Sequence, residues 1–256
     1  MKRLLNLLRR ARPLPSDRAP SVPADTRVYA IGDVHGRLDL LRMLIGAIEA
    51  EQPRLAPVAE SYIVFLGDLI DRGEDSAAIL DFLMDRDFGM LRPVFLMGNH
   101  EEGLLRVLGG NMAVLDGWLR YGGDATLRSY GIADALILQG DEDALVAAMH
   151  AAIPVRHRNF MASFGDTFEI GDYLFVHAGL RPGIPLEQQM TADLRWIRGE
   201  FLDSEADHGW IVVHGHTIVE MPQERPNRIA IDTGAYYSGR LTALALDGDR
   251  RRFLTT

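Results

Sequence analysis

Tyr62-Ile63-Val64-Phe65-Leu66-Gly67-Asp68-Leu69-Ile70-Asp71-Arg72-Gly73 is the stretch on which the reading of this chain turns. Its first five residues are apolar, β-branched or aromatic, and they stop at a glycine. That is the pattern of a short strand buried in a parallel sheet. A helical pattern begins near Glu74-Asp75-Ser76. Two aspartates and an arginine therefore sit on a strand-to-helix loop, the edge at which open α/β sheets place ligands. Taken alone, the same residues equally make a polar turn with an N-cap.

The neighbouring segments repeat the arrangement. Arg27–Gly32 reads as a strand that leads into Asp33-Val34-His35-Gly36. An amphipathic helix follows over about Arg37–Glu51, with Leu38, Leu41, Leu44, Ile45 and Ile48 at helical spacing, and Pro53 stops it. Downstream, a helix over Ser76–Asp85 precedes a strand, Pro93–Met97, that ends in Gly98-Asn99-His100-Glu101. Asp33, Asp68 and Asn99 are 35 and 31 residues apart. One βαβ unit takes about 30 residues. Right-handed crossovers then set three strands side by side with all three loops at one edge.

From Glu102 to about Pro154 the pattern is helical and carries no further motif, so a helical insertion or cap is expected over about 102–155. Its helices include Asp141–Ala152 and two glycine-broken stretches, Trp118–Gly123 and Thr126–Gly131. From Asn159 the chain is β-rich. Thr167–Ile170 and Tyr173–Val176 flank Gly171-Asp172, a two-residue turn suited to a hairpin. The second of these strands delivers His177-Ala178-Gly179. A helix around Leu186–Leu194 leads to Trp196-Ile197-Arg198, and Trp210–Val213 delivers His214-Gly215-His216-Thr217. Arg228–Ile231 and Leu241–Leu246 add two strands. The fold class is α/β, with a second sheet, antiparallel or mixed, packed on the first.

Composition narrows the chemistry. The 256 residues suffice for one large domain or two small ones, and no apolar run reaches the roughly 18 residues of a membrane helix. The absence of cysteine excludes disulfides and thiolate metal ligands and points to a reducing, cytoplasmic setting. Residues 1–18 carry six basic side chains against Asp17 alone, so the net charge of −9 leaves −14 on the remainder. An acidic body argues against nucleic acid as a partner. Residues 1–25 read as a flexible basic, Pro-rich tail, since Arg9 and Arg10 interrupt the leucines too early for a signal peptide. Peripheral contact of residues 1–18 with an anionic membrane is a second reading of the tail. Composition leaves the oligomeric state open.

The strand ends collect Asp33, His35, Asp68, Asp71, Arg72, Asn99, His100, His177, His214 and His216. Oxygen and imidazole donors without thiolate suit manganese, iron or zinc. A carboxylate shared between two ions lets them clamp the attacking and leaving oxygens of a phosphoryl displacement. His150, His157 and His208 lie in no strand-end glycine motif and read as structural.

Gly32-Asp33-x-His35-Gly36, Gly67-Asp68-x-x-Asp71-Arg72-Gly73 and Gly98-Asn99-His100-Glu101 resemble the three signature motifs of the metal-dependent phosphoprotein phosphatases, within the calcineurin-like metallophosphoesterases. His177-Ala178-Gly179, Gly215-His216-Thr217, Ile231–Ala235 and Trp196-x-Arg198 are similar to later motifs of its bacterial and phage branch. The resemblance covers about residues 27–247. It implies an α/β sandwich of two mixed sheets flanked by helices within residues 26–256. It also implies two divalent ions, manganese first with iron or zinc as alternatives. Asp33, His35 and Asp68 would hold the first ion; Asp68, Asn99, His177 and His216 the second. His100 would be the general acid, oriented by Asp71. Arg72 and, on spacing beside Trp196 only, Arg198 would bind phosphate. The implied reaction is direct attack of metal-bound hydroxide on a phosphomonoester, a phosphoprotein's phosphoserine or phosphothreonine or a small phosphoester. The alternative is symmetrical dinucleoside polyphosphate hydrolysis. The resemblance associates that activity with Ala at position 71 and Asp at 101, where this chain has Asp71 and Glu101. His214 departs from the pattern, and the resemblance gives it no role.

Overall fold

Every central strand has two buried faces, and the alternation of its side chains sends them to different cores. In β1 (Thr26–Ile31), Val28 and Ala30 face a second sheet while Tyr29 and Ile31 face helices. β2 (Glu60–Phe65) divides the same way, with Val64 between the sheets and Ile63 and Phe65 beneath the helices. The computed structural model describes residues 18–138 and 140–256. Among them two five-stranded mixed sheets pack face to face. The order is β10-β9-β1-β2-β3 in one and β4-β5-β6-β8-β7 in the other.

The first sheet has β1, β2 and β3 (Leu91–Phe95) parallel, as the crossover spacing predicts. β9 (Thr242–Asp247) and β10 (Arg250–Thr255) run antiparallel beside β1. The sequence pattern does not reveal β10, because it opens on Arg250-Arg251-Arg252 and is an exposed edge, where charge blunts aggregation. β3 begins two residues before the expected strand and contains Pro93, tolerable because β3 is the other edge. In the second sheet, β4 (Thr167–Ile170) and β5 (Tyr173–Val176) form the expected hairpin. β5 runs parallel to β6 (Ile211–His214), and β6 to β8 (Arg228–Ala230), with β7 (Gln223–Glu224) as a short edge.

Helices cover both outer faces. α1 (Leu38–Glu51) buries Leu38, Leu40, Leu41, Leu44, Ile45 and Ile48. Each such side chain contributes about 1.5–3 kcal/mol. α2 (Ser76–Asp85) buries Ile79, Leu80 and Leu83 beside it. Between β3 and β4 the chain forms α3 (Asn99–Leu108), α4 (Leu115–Trp118), a π-turn (Leu119–Gly123), α5 (Asp124–Ser129), α6 (Asp134–Leu138), α7 (Glu142–Ala152) and α8 (Val155–Ala162). On the far face, α9 (Thr191–Trp196) and α10 (Gly199–Leu202) place Leu194 and Phe201 against Leu174, Val176 and Val212. The helix expected over Leu186–Leu194 is split. The Gln189 side chain donates to the Arg181 and Ile184 carbonyls, and its backbone is extended between the two helical pieces. A last short helix, α11 (Ala235–Ser238), follows β8.

Residues 18–25, assigned to the tail by composition, lie against the sandwich, with Val22 buried between the sheets. The membrane reading of the tail rests mainly on residues 1–17, which are outside the described residues. Among those described, no helix is long and apolar enough to cross a membrane.

Candidate active site

Five strand ends from the two sheets deliver their loops to one place. β1 brings Asp33 and His35; β2 brings Asp68, Asp71 and Arg72; β3 brings Asn99 and His100. β5 and β6 of the other sheet bring His177 and His216. All of these are buried except half-buried Arg72. Asp68 is the centre. Its Oδ2 lies 3.5 Å from Nε2 of His35, 3.5 Å from Nε2 of His177 and 3.8 Å from Nε2 of His100. His177 Nε2 is also 2.9 Å from Asn99 Oδ1 and 3.2 Å from His216 Nδ1. The Asp33 carboxylate accepts the His216 backbone N–H at 3.0 Å. Two triads, His35–Asp68–His100 and Asp68–His177–His216, each have ligand atoms within 4.8 Å of one another and share Asp68.

The backbone is strained at the same positions. Five non-glycine residues among those described have positive φ: His35 at 44°, Asp68 at 50°, Asp71 at 72°, Arg72 at 69° and His216 at 61°. All five belong to the strand-end set read from the sequence. Such conformations cost about 1–3 kcal/mol each and cluster where function demands a particular geometry. Gly98 shows how tightly the loops press. A Cβ there would lie 2.1 Å from Asp68 Oδ1 and 2.3 Å from the Asp68 nitrogen.

Burial, then the field of neighbouring groups, sets the charges. Burial and the Asp232 and Asp68 carboxylates push Asp33 well above the usual carboxylate range. Burial also opposes ionisation of Asp68, but its pairing with the surrounding imidazoles, of which His100 is the one that stays protonated, outweighs it and holds its carboxyl well below that range. Desolvation lowers His35 and His177 and pushes His216 down to about 2, so these rings are neutral, the form that binds a metal. His100 behaves oppositely. Burial works against its charged form, yet Asp68 and Asp71 raise it above its ordinary value. Buried Nε2 of His35, Nε2 of His216 and Oδ2 of Asp232 have no hydrogen-bond partner among the described residues. Unpartnered imidazole nitrogens beside crowded carboxylates, with no thiolate, fit divalent cations.

Residues 26–245 match the calcineurin-like phosphoesterase family. The chain belongs to that family. It is 29% identical to "Serine/threonine-protein phosphatase 1" of Salmonella typhimurium, over 84% of this chain and 89% of the relative. It is 28% identical to a symmetrical bis(5'-nucleosyl)-tetraphosphatase of Legionella pneumophila, over 88% of this chain and 95% of the relative. Among solved structures, a cold-active protein tyrosine phosphatase superposes with a TM-score of 0.55 and 22% identity, covering 91% of this chain and 81% of that one. The protein is thus a hydrolase of phosphoesters on a fold that implies divalent metal ions.

The candidate site also contains residues that sequence reasoning missed. His100 Nδ1 lies 2.7 Å from Asp71 Oδ2, and the same oxygen accepts the Trp118 indole N–H at 2.7 Å. Thr126 Oγ1 donates to Asp71 Oδ1 at 2.5 Å. Trp118 and Thr126 come from the glycine-broken helices, whose motif signal is nil. Gly122, at φ 106°, was the available clue: its carbonyl accepts the Arg72 N–H at 3.0 Å. Arg72 Nη2 is 3.2 Å from His100 Nε2, and its guanidinium lies 4.8 Å from the centre of the Tyr236 ring. Arg198 is exposed and donates to Thr217 Oγ1 at 3.0 Å, next to His216.

Strand alternation accounts for His214. As the last residue of β6 it packs edge-on to Phe201, with ring centres 5.1 Å apart, on the helix-covered face away from the cluster. His150, His157 and His208 also lie away from it. His157 bridges Tyr130 and Asp81, His150 meets Arg158, and His208 packs on Phe201.

Proposed function

We propose that this phosphoesterase removes phosphate from phosphoserine or phosphothreonine in proteins, using two divalent ions. Asp33, His35 and Asp68 would hold one ion, and Asp68, Asn99, His177 and His216 the other, with Asp68 shared. Bound there, such ions supply Lewis acidity and lower the pKa of coordinated water. His35 and His177 donate their Nδ1 protons to the Ile70 and Leu66 carbonyls, so each turns Nε2 to the cluster. Manganese is the first candidate metal.

The observation that carries the reading is the buried Asp71–His100 pair. A carboxylate on Nδ1 keeps His100 protonated and aimed, as a general acid for a leaving oxygen must be. Arg72 and Arg198 supply the guanidinium forks for phosphate oxygens. The helical segment that supplies Trp118 and Thr126 acts as a cap supporting this pair.

One observation favours a second reading, dinucleoside polyphosphate hydrolysis. An apolar cleft of about 250 Å³ beside His100 is lined by Trp118, Tyr121 and Trp196, side chains on which a base could stack. A manganese-reconstituted assay comparing phosphoserine peptides with diadenosine tetraphosphate decides between them. The proposal expects faster turnover of the peptides, abolished by chelator. Faster cleavage of the dinucleotide would replace it with the second reading.

A further inference from the structure

Glu101 is fully buried and outside both clusters; burial and then the Asp68 carboxylate push its pKa up to about 7, while four main-chain donors favour its ionised form. Oε2 accepts the backbone N–H of Asp68 at 2.9 Å and of Gly98 at 3.1 Å. Oε1 accepts the N–H of Leu69 at 2.7 Å and of Ile70 at 3.3 Å. Four main-chain donors thus converge on one side chain, three of them consecutive. This is the geometry of a backbone nest, with a protein carboxylate in place of an external anion.

The other side of the same three peptides is equally committed. The Asp68 carbonyl accepts the N–H groups of Val34 and His35 at 3.1 and 2.9 Å, and the Leu69 carbonyl accepts that of Gly36 at 3.0 Å. The Ile70 carbonyl receives Nδ1 of His35 at 2.9 Å. Residues 68–70 therefore form a bridge. Their N–H groups are held by a residue of α3, and their C=O groups hold the loop after β1. Asp68 at one end and Asp71 just beyond the other have left-handed φ, a conformation that even aspartate adopts only as a single residue with local support.

We propose that Glu101 is a positioning residue that fixes the 68–70 backbone, and through it brings Asp68, Asp71 and His35 to one centre. The inference rests on the reading of Asp68 as the shared ligand. The side chain's reach matters as much as its charge. Aspartate is one methylene shorter and cannot span Gly98 and residues 68–70 together. Glutamine keeps the length but turns an amide donor toward N–H donors. In the ionised form the bonds that Glu101 accepts are charge-assisted and of the stronger class.

The test uses the full chain with Glu101→Gln and Glu101→Asp, and two measurements. The first is amide hydrogen exchange at Asp68, Leu69 and Ile70, which reports the clamp with chelator present and without catalysis. The second is titration of the stripped protein with Mn²⁺ by calorimetry. In Glu101→Gln, exchange at these three amides should accelerate while the β1–β2 ladder stays protected. The Mn²⁺ dissociation constant should rise about 10–100-fold, the scale of a lost supporting partner. Glu101→Asp should fall between the two proteins. Unchanged exchange and an unchanged isotherm in Glu101→Gln overturn the clamp, and full rescue by Glu101→Asp overturns the requirement for reach. A wild-type chain that binds no Mn²⁺ removes the metal reading instead, and the exchange data still decide whether residues 68–70 depend on Glu101.

Discussion

The loops of the first sheet and those of the second meet at Asp68, but they are built differently. The first-sheet loops are strained and bonded to one another, with positive φ at His35, Asp68, Asp71 and Arg72 and main-chain bonds joining residues 34–36 to 68–69. The second-sheet loops contribute single rings anchored on that framework. His177 continues directly from β5 and donates to the Leu66 carbonyl, and the His216 amide donates to Asp33. Four of the five strained residues thus belong to the half that holds the other half in place. Damage to the first-sheet framework should therefore spread across the site, whereas loss of a second-sheet ring should stay local.

The largest effect expected is for Asp68→Asn, set against His216→Ala. On the proposed reading, Asp68→Asn loses both ions and more turnover than the about 10²–10⁴-fold assigned to a general acid. His216→Ala loses one ion and leaves the other. Elemental analysis of manganese-reconstituted proteins checks this, and two ions retained in Asp68→Asn would break the comparison. His100→Asn comes next. On the proposed reading it should keep both ions and lose turnover by about 10²–10⁴, since the His100 side chain would contribute chemistry, and its framework bond to Asp68 is made by the backbone N–H. Unchanged turnover would remove it from the mechanism.

How far such a site can be read from sequence follows from the same contrast. The strained half was legible because strain needs local devices: Gly67, Gly73 and Gly98 flank the polar residues, and apolar strands lead into them. The interval of about one crossover places the three loops together. The helical support was not legible. Trp118 and Thr126 reach Asp71 from 47 and 55 residues away, and an indole or a hydroxyl inside a helix carries no spacing signal. Strand edges failed for a related reason. β10 hides behind three arginines because its exposed face has no need of apolar alternation.

Trp118→Phe sharpens the comparison at a smaller scale. It removes one hydrogen bond to the buried Asp71 carboxylate while keeping the ring in place. A bond to a charged group is worth about 1.5–3 kcal/mol, so turnover should fall roughly 10–100-fold with little change in KM. The pH profile of kcat should move as well, because Asp71 helps to hold the His100 proton. A fall confined to KM would mean that Trp118 only lines the cleft.

The smallest effect on turnover is expected at His214, two residues from His216 yet on the opposite side of the sheet. Burial pushes its pKa down to about 4, below the value near 6.5 of an unfolded histidine. A depressed histidine favours the fold only while neutral. Its contribution is therefore complete above pH 6.5 and is lost as pH falls toward 4, where both states are protonated. The gap corresponds to about 3 kcal/mol. His214→Phe preserves the edge-on contact with Phe201 and removes the titration. His35, His177 and His216 are buried and neutral too, and they steepen the same acid limb in both proteins. The measurement is therefore the difference between wild-type and variant denaturant stabilities in chelator, taken from pH 7.5 down to 4. The variant's curve should be flatter by up to that amount, with turnover at pH 7.5 unchanged. Parallel stability curves would mean that His214 titrates alike in the folded and unfolded chains, and a loss of turnover would move it from the core into the site.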